Sequence, residues 1–131
     1  MRNQAIATQH HADYMMLHVM TTTSTPASEV SLLAAKLCVP ITVLCRYLYI
    51  SPKTVQRNGT LSVLVADRLK SLEHVVSRAI EVMEDEEDGI LWLKTPIYAL
   101  GNRSPFSYLG TSDGIQRVLN LLGQIEWGLI A

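Results

Sequence analysis

A short polar segment, ISPKTVQRN at residues 50–58, carries side chains suited to nucleic-acid contacts. The candidate DNA-contacting residues are Ser51, Lys53, Thr54, Gln56 and Arg57. Lys and Arg pair with phosphates, whereas Gln, Thr and Ser hydrogen-bond to phosphates or base edges. Ser51 followed by Pro52 is also a helix-start signal, which places these side chains on a short helix anchored by Val55. The segment indicates a DNA-reading helix or, as the plainer alternative, a solvated surface helix.

Groups that could catalyse a reaction or hold a metal are sparse. His10, His11 and Asp13 lie close together, but no further ligand accompanies them, so a solvated tail is favoured over a metal site. The acidic run EDEED at residues 84–88 could hold paired carboxylates, although such runs are usually solvated. No nucleophile motif is present. The sequence therefore predicts no enzyme, no metal and no cofactor.

The composition describes a small, apolar and nearly neutral protein. The chain has 131 residues, 48% of them hydrophobic, and a net charge of −1. Any DNA contact must therefore come from a local basic patch. The most apolar run, residues 30–50, includes Lys36 and Arg46, which would be costly in a membrane, and Pro40, which breaks it into two buried helices. We expect no membrane span.

The cysteine content and the N-terminus favour a cytoplasmic protein. Cys38 and Cys45 lie on the apolar helices, and we expect both to be reduced thiols in the core. The N-terminal apolar patch is short and interrupted by His18, so a secretory signal is not expected.

Helices must position the polar segment, since no strand pattern occurs anywhere. Residues 1–28 lack apolar periodicity and are expected to form a flexible tail or linker. Ser28 is expected to cap a first helix, and a second helix starts at Ile41 after Pro40. Residues 41–57, made up of this second helix, a tight turn near Ile50 and Ser51, and the polar helix, have the layout of a helix-turn-helix.

A long amphipathic helix is predicted over residues 61–85, with Thr60 or Ser62 as its cap. Its apolar positions are Leu61, Val65, Leu69, Leu72, Val76, Ala79 and Met83. The acidic run suits the start of the next helix, which we predict over residues 88–94.

A sharp bend is predicted in WLKTPIYALGNRSP, residues 92–105. Pro96 ends one helix, and Ser104 with Pro105 starts a short turn. We expect Ala99 and Leu100 to form a buried pin between these elements.

The predicted last helix begins after a Thr111 cap and carries more apolar surface than one core face needs. Leu121, Trp127 and Ile130 lie off the stripe that the core would use. Such surplus surface is typical of an interface. Trp127 is expected either to anchor a partner or to fold back on the core.

Residues 29–131 resemble the antitoxins of the Xre/MbcA/ParS type, the partners of RES-domain toxins in type II toxin–antitoxin systems. The resemblance rests on ISPKTVQR, then a long helix, then the spaced motifs Trp-Leu, Pro, Ala-Leu-Gly, Pro, Thr-x-x-Gly and Ile-Glu-x-Gly. These motifs fall on Trp92, Leu93, Pro96, Ala99, Leu100, Gly101, Pro105, Thr111, Gly114, Ile125, Glu126 and Gly128. Asn102 and Gln124 depart from the family pattern, which often has a second Gly and a basic residue there.

The resemblance implies an all-α antitoxin that binds and neutralises a toxin that depletes NAD. It implies an Xre-like helix-turn-helix domain at residues 29–70 and a toxin-binding domain at 71–131, while the expected flexible tail at residues 1–28 lies outside the resemblance. A homodimer and autorepression of the operon through operator DNA are also implied. The expected toxin-binding residues are Trp92, Arg103, Tyr108, Arg117, Leu121, Glu126, Trp127, Gly128 and Leu129. The expected structural turn residues are Pro96, Ala99, Leu100, Gly101, Pro105 and Gly114.

The residues leave several points open. Either Arg103 and Arg117, or Glu126 and the terminal carboxylate, are candidates to reach into the toxin's dinucleotide pocket. A helix-turn-helix regulator without a toxin partner is the principal alternative, and a helical scaffold is a further one.

Overall fold

The computed structural model describes residues 25–129 and confirms the predicted all-α fold, since every regular element in this range is helical. The α-helices are α1 (Ser28–Leu37), α2 (Ile41–Leu48), α3 (Pro52–Gln56), α4 (Val63–Met83), α5 (Glu86–Lys94) and α6 (Ser112–Glu126). Two 3₁₀ turns, η1 (Tyr98–Leu100) and η2 (Pro105–Tyr108), connect α5 to α6. No helix in this range is long and apolar enough to span a membrane. The N-terminal tail, with its paired histidines, and Ile130 lie outside the described residues.

The long helix α4 is the centre of the molecule because its apolar positions supply one side of the core. It packs against α5 and α6, and α2 also contacts it. The α4 stripe was predicted correctly, with Val65, Leu69, Leu72, Val76 and Ala79 all buried. Helix α1 packs on α2, and side chains from both belong to the same hydrophobic core. The polar segment and the C-terminal region are therefore held on one scaffold.

Side-chain caps fix where several helices begin. The hydroxyl groups of Ser62, Ser104 and Thr111 each accept a hydrogen bond from a backbone N–H three residues later, as predicted. Asp85 does the same for α5, accepting from the Asp88 N–H at 2.9 Å. Helix α5 consequently begins at Glu86, two residues before its predicted start.

Two predictions about α1 are wrong. Ser28 is the first helical residue and not the cap; the N-cap is Ala27, which is fully buried and donates its N–H to the Gly59 carbonyl at 2.8 Å. This tertiary contact sets the start of the helix more strongly than the preference of a serine for the cap position. Cys38 is exposed, because α1 ends at Leu37 and Cys38 takes the left-handed conformation that closes it. Cys45 is buried as expected.

A close crossing of α4 and α5 depends on Gly89, a residue that the sequence analysis did not single out. A Cβ atom at Gly89 would lie 2.7 Å from the Ile80 Cα and 2.8 Å from the Ile80 nitrogen. The two backbones therefore approach more closely than any side chain allows. This contact fixes the angle at which α5 leaves α4 and hence the position of the bend that follows.

Candidate functional site

The predicted bend is a closed loop held by backbone hydrogen bonds. The Ile97 N–H donates to the Arg103 carbonyl at 3.1 Å, and the Asn102 N–H donates to the Ile97 carbonyl at 3.0 Å. Gly101 and Asn102 turn the chain with φ values of 70° and 62°. The left-handed conformation suits glycine and is tolerated by asparagine. The bend is thus an ordered structure with defined turn residues.

The prediction that Ala99 and Leu100 are both buried inside the bend is correct for only one of them. Leu100 is buried, with 2% of its surface exposed, whereas Ala99 is exposed and was wrongly expected to be buried. The 3₁₀ geometry of η1 explains the difference, because adjacent residues in a tight turn point in different directions. Tyr98 in the same turn is also exposed, and it is an aromatic group that the sequence analysis did not single out. Helix α5 ends at Lys94, two residues before Pro96, which agrees with the prediction that Pro96 ends this helix.

The second turn, η2, is fastened to the first by Tyr108. Its hydroxyl donates a hydrogen bond to the Leu100 carbonyl at 2.8 Å. Pro105 and Phe106, the first two residues of η2, are buried. Gly114, in the first turn of α6, has no room for a side chain, since a Cβ there would lie 1.8 Å from the Tyr108 carbonyl oxygen. The bend, η2 and the start of α6 therefore form one rigid unit.

Two arginines from different elements converge on the ring of Tyr108. The guanidinium carbon of Arg103 lies 4.8 Å from the ring centroid, and that of Arg117 lies 5.3 Å from it. Both arginines are exposed. An exposed cation–π contact of this kind contributes about 0.5–1 kcal/mol. All three residues were predicted to bind a toxin, but their contact with one another was not predicted.

The C-terminal end of α6 exposes two large apolar side chains. The helix ends at Glu126, where the Gly128 N–H donates to the Ile125 carbonyl and the Leu129 N–H donates to the Gln124 carbonyl. With Gly128 at a φ of 68°, this is a Schellman cap. Trp127 is 78% exposed and Leu129 is 73% exposed. Trp127 therefore does not fold back on the core of its own chain.

Two other predicted toxin-binding residues are buried or half-buried. Leu121 is 6% exposed, so the expectation that it adds surplus apolar surface is wrong. It is buried on α6 with Val118 and Leu122, which makes the inward face of this helix wider than the predicted stripe. Trp92 is partly buried and packs against the core from α5.

Glu126 is bound within its own chain. Its carboxylate accepts hydrogen bonds from both terminal nitrogens of Arg78, at 3.1 and 3.3 Å, and Arg78 also pairs with Glu81 at 3.0 Å. The hydrogen bond from Arg78 lowers the pKa of Glu126 and, in turn, raises the pKa of Arg78. This ion pair fixes the last turn of α6 against α4.

Two tyrosines of the N-terminal helices join them to the C-terminal region. The Tyr47 ring packs on Phe106 with 5.2 Å between centroids, and the Tyr49 hydroxyl donates to the Gly110 carbonyl at 2.8 Å. Burial raises the pKa of Tyr47, and the nearby charges of Arg46 and Arg103 offset part of this rise. No sequence pattern indicated these contacts, which form between residues far apart along the chain.

The polar segment forms α3 with its cationic side chains on the outside. Lys53, Gln56 and Arg57 are exposed and Thr54 is half-buried, while Val55 is buried as predicted. Ser51 occupies the N-cap position and Pro52 the first helical position, but the Ser51 hydroxyl hydrogen-bonds to the Thr54 hydroxyl and not to a backbone N–H. The helix is short, so it offers one turn of side chains to a ligand.

Within residues 25–129, no group of three or more His, Cys, Asp or Glu side chains is placed to hold a metal ion. The acidic run does not gather into a site either: Asp85 caps α5, Glu86 pairs with Lys36 at 3.7 Å, and the run is exposed throughout. The distinctive features of the C-terminal region are instead its rigid turns, the two arginines at Tyr108 and the exposed apolar side chains at the end of α6.

The described residues thus form an all-α scaffold with a rigid, partly apolar C-terminal surface. Residues 78–128 match the model of the antitoxin Xre/MbcA/ParS C-terminal toxin-binding domain. This region is therefore similar to that domain family, and the expected resemblance to Xre/MbcA/ParS antitoxins is confirmed.

Individual relatives agree with this assignment. The chain is 34% identical over 67 residues to an Antitoxin Xre from Yersinia enterocolitica and 33% identical over 67 residues to one from Photorhabdus laumondii. Each match covers 50% of this chain and 45% of the relative, so the chain spans about half the length of these curated relatives. It is also similar to a chain in the crystal structure of the M. tuberculosis MbcT–MbcA toxin–antitoxin complex. That match has a TM-score of 0.60 and 25% identity, and covers 80% of this chain and 96% of the other.

Proposed function

We propose that this protein is the antitoxin of a toxin–antitoxin pair and neutralises its toxin by direct binding. The observation that carries the proposal is the exposure of Trp127 and Leu129 at the end of α6, next to the region that matches a toxin-binding domain. Large exposed apolar side chains on a well-ordered helix end are typical of interface anchors. The resemblance adds the class of partner, a RES-domain toxin that depletes NAD.

The proposed mechanism is that the surface formed by residues 95–129 covers the active site of the toxin. The closed bend, the Tyr108 hydrogen bond and the Arg78–Glu126 ion pair already order this surface in the free protein. An ordered surface binds with little further loss of conformational entropy, so more of the contact energy contributes to affinity. Leu129 supports this view, because the residue at its position in a Schellman cap frequently packs back on the helix, whereas here it is exposed.

A co-expression growth assay tests this proposal. The toxin gene adjacent to the antitoxin gene is induced together with the full chain or with a chain that lacks residues 127–131. This deletion removes the exposed end but leaves the buried residues of α6, such as Val118 and Leu122, in place. The full chain is expected to restore growth and the shortened chain to lose this ability. Growth restored equally by both, with equal protein levels, would contradict the proposal.

A second proposed activity is repression of the protein's own operon through α3. Lys53, Gln56 and Arg57 are exposed on this helix and can contact phosphates and base edges. One short helix with two cations makes few phosphate contacts, so we propose that a homodimer doubles them on operator DNA. The proposed domain arrangement is a DNA-binding unit at residues 29–70 and a toxin-binding unit at 71–131.

A gel-shift titration with the upstream DNA of the operon tests the second activity. The variant Lys53→Ala with Arg57→Ala is expected to lose most of its binding and to show a weaker dependence on salt, because fewer counterions are released. The variant Lys36→Ala with Lys70→Ala removes two exposed cations outside α3 and serves as the matched control. Equal binding by the two variants would exclude α3 as the DNA contact. DNA binding without any toxin binding would instead favour a regulator that lacks a toxin partner.

A further inference from the structure

The charge carried by the proposed toxin-binding surface follows from how its ionisable groups are paired. Glu126 was one candidate to enter the partner, but both of its carboxylate oxygens are hydrogen-bonded to Arg78. Arg103 and Arg117 are the other candidates, and among residues 25–129 neither has a carboxylate close enough for an ion pair. Asp113, one turn before Arg117 on α6, is not paired with it either. Among the described residues of this surface, the ionised side chains without an ion pair are Arg103, Arg117 and Asp113, so the unpaired charge is net positive.

The two arginines are also held in a geometry suited to binding anions. Each guanidinium lies near the Tyr108 ring, and the ring itself is fixed by the hydrogen bond from its hydroxyl to the Leu100 carbonyl. A guanidinium that rests near an aromatic ring keeps donors free for a bidentate contact with a carboxylate.

We propose that Arg103 and Arg117 form a paired-arginine contact that binds carboxylate groups on the surface of the toxin. The inference rests on the proposed function and specifies the chemistry of the partner: an acidic patch faces Tyr108 in the complex. Binding is thus assisted by the positive charge of this surface, while Glu126 serves to hold α6 in place.

A protein surface fits this contact better than a free phosphate does, because an exposed apolar area lies within the span of the same interface. Arg117 and Trp127 lie on the same helix, separated by about 15 Å along its axis. That distance is well within an interface of standard size, in which a polar rim surrounds an apolar centre. The exposed Trp127 and Leu129 supply the apolar part, and Arg103, from the bend, and Arg117, from the first half of α6, supply the charge.

The test measures association of the purified full chain with its adjacent-gene toxin at several salt concentrations. The variant Arg103→Gln with Arg117→Gln is expected to bind about tenfold more weakly, mainly through slower association, and to show a flatter salt dependence. The variant Arg103→Lys with Arg117→Lys should keep the salt dependence but lose part of the affinity, because lysine lacks the planar fork. The control Lys53→Gln with Arg57→Gln, which removes two exposed cations from α3, should bind like the wild type.

The outcomes separate this inference from the proposed function. If the wild-type chain binds the toxin and the double-glutamine variant binds with the same affinity and salt dependence, the paired-arginine contact is wrong while the antitoxin role stands. If the wild-type chain does not bind the toxin, both fail. If inorganic pyrophosphate binds the free antitoxin through these arginines, the site is a phosphate site and the carboxylate assignment is overturned. Unchanged thermal midpoints of the variants show that they are folded.

Discussion

Arg78 and Glu126 form a bidentate ion pair that joins the C-terminal third of α4 to the last turn of α6, with 3.1 Å between Nη2 and Oε1 and 3.3 Å between Nη1 and Oε2. The residues are far apart along the chain, and they meet because α6 folds back along α4. Glu126 lies directly before Trp127, the more exposed of the two large apolar residues at the end of α6. The pair therefore determines where the proposed toxin anchor is held.

The ion pair predicts a dependence of stability on acidity. Arg78 depresses the pKa of Glu126 below its ordinary value of 4.5, so the pair contributes stability above pH 4.5 and loses it as the pH falls through the folded-state pKa. The variant Glu126→Gln is expected to melt slightly below the wild type at neutral pH, because exposed ion pairs contribute little, and the difference should shrink in acid. Thermal melts followed by circular dichroism across this range measure it.

Glu87→Gln is the matched control, since Glu87 is exposed and has no ion pair among residues 25–129. It should change the melting temperature little at any pH. A difference between wild type and Glu126→Gln that is the same at neutral and acid pH would contradict the role of the ion pair.

The tight junction between η2 and α6 predicts that Gly114 does not tolerate a side chain. In Gly114→Ala the new Cβ would clash with the Tyr108 carbonyl oxygen, so α6 or η2 must shift. We expect a loss of about 2–3 kcal/mol in the free energy of unfolding, as for other overpacked sites. Gly123→Ala, in the same helix with no atom within 4 Å of the new Cβ, should instead be neutral or stabilise by up to about 1 kcal/mol. Urea titrations of both variants measure this, and equal effects would argue against the junction as described.

The bend predicts a different outcome at Asn102, where the chain departs from the family pattern. Asn102 has a φ of 62°, a conformation that glycine adopts without strain and alanine does not. Asn102→Gly should therefore leave the stability unchanged or slightly higher, whereas Asn102→Ala should lower the free energy of unfolding by about 1 kcal/mol. The same titrations compare the two variants, and an alanine variant as stable as the glycine variant would contradict this geometry.

The local signals in the sequence predicted most of the architecture. Ser62, Ser104 and Thr111 cap the helices that follow them, and Pro40 and Pro52 begin new helices, because caps and prolines act through the backbone of neighbouring residues. The apolar period of α4 identified its buried face correctly. Such features depend on a few consecutive residues, so they can be recognised without knowledge of the tertiary structure.

The features that were missed depend on contacts between distant parts of the chain. Ala27 replaced Ser28 as the cap because of its bond to Gly59, and Leu121 is buried because the inward face of α6 is wider than its apolar stripe. The convergence of Arg103 and Arg117 on Tyr108 likewise depends on how two turns and a helix pack. The residue types indicated a partner surface, but their arrangement required the folded chain.

The affinity for the toxin of the variant Trp127→Ala with Leu129→Ala tests the central claim most directly. Both side chains are exposed in the free protein, so the variant should fold like the wild type. Its dissociation constant is expected to rise by at least about 30-fold, equivalent to about 2 kcal/mol, because anchor residues carry much of the energy of an interface. Leu64→Ala, at a residue that is 61% exposed on α4, should bind like the wild type. A dissociation constant unchanged by loss of both Trp127 and Leu129 would contradict the claim that the end of α6 is the toxin contact.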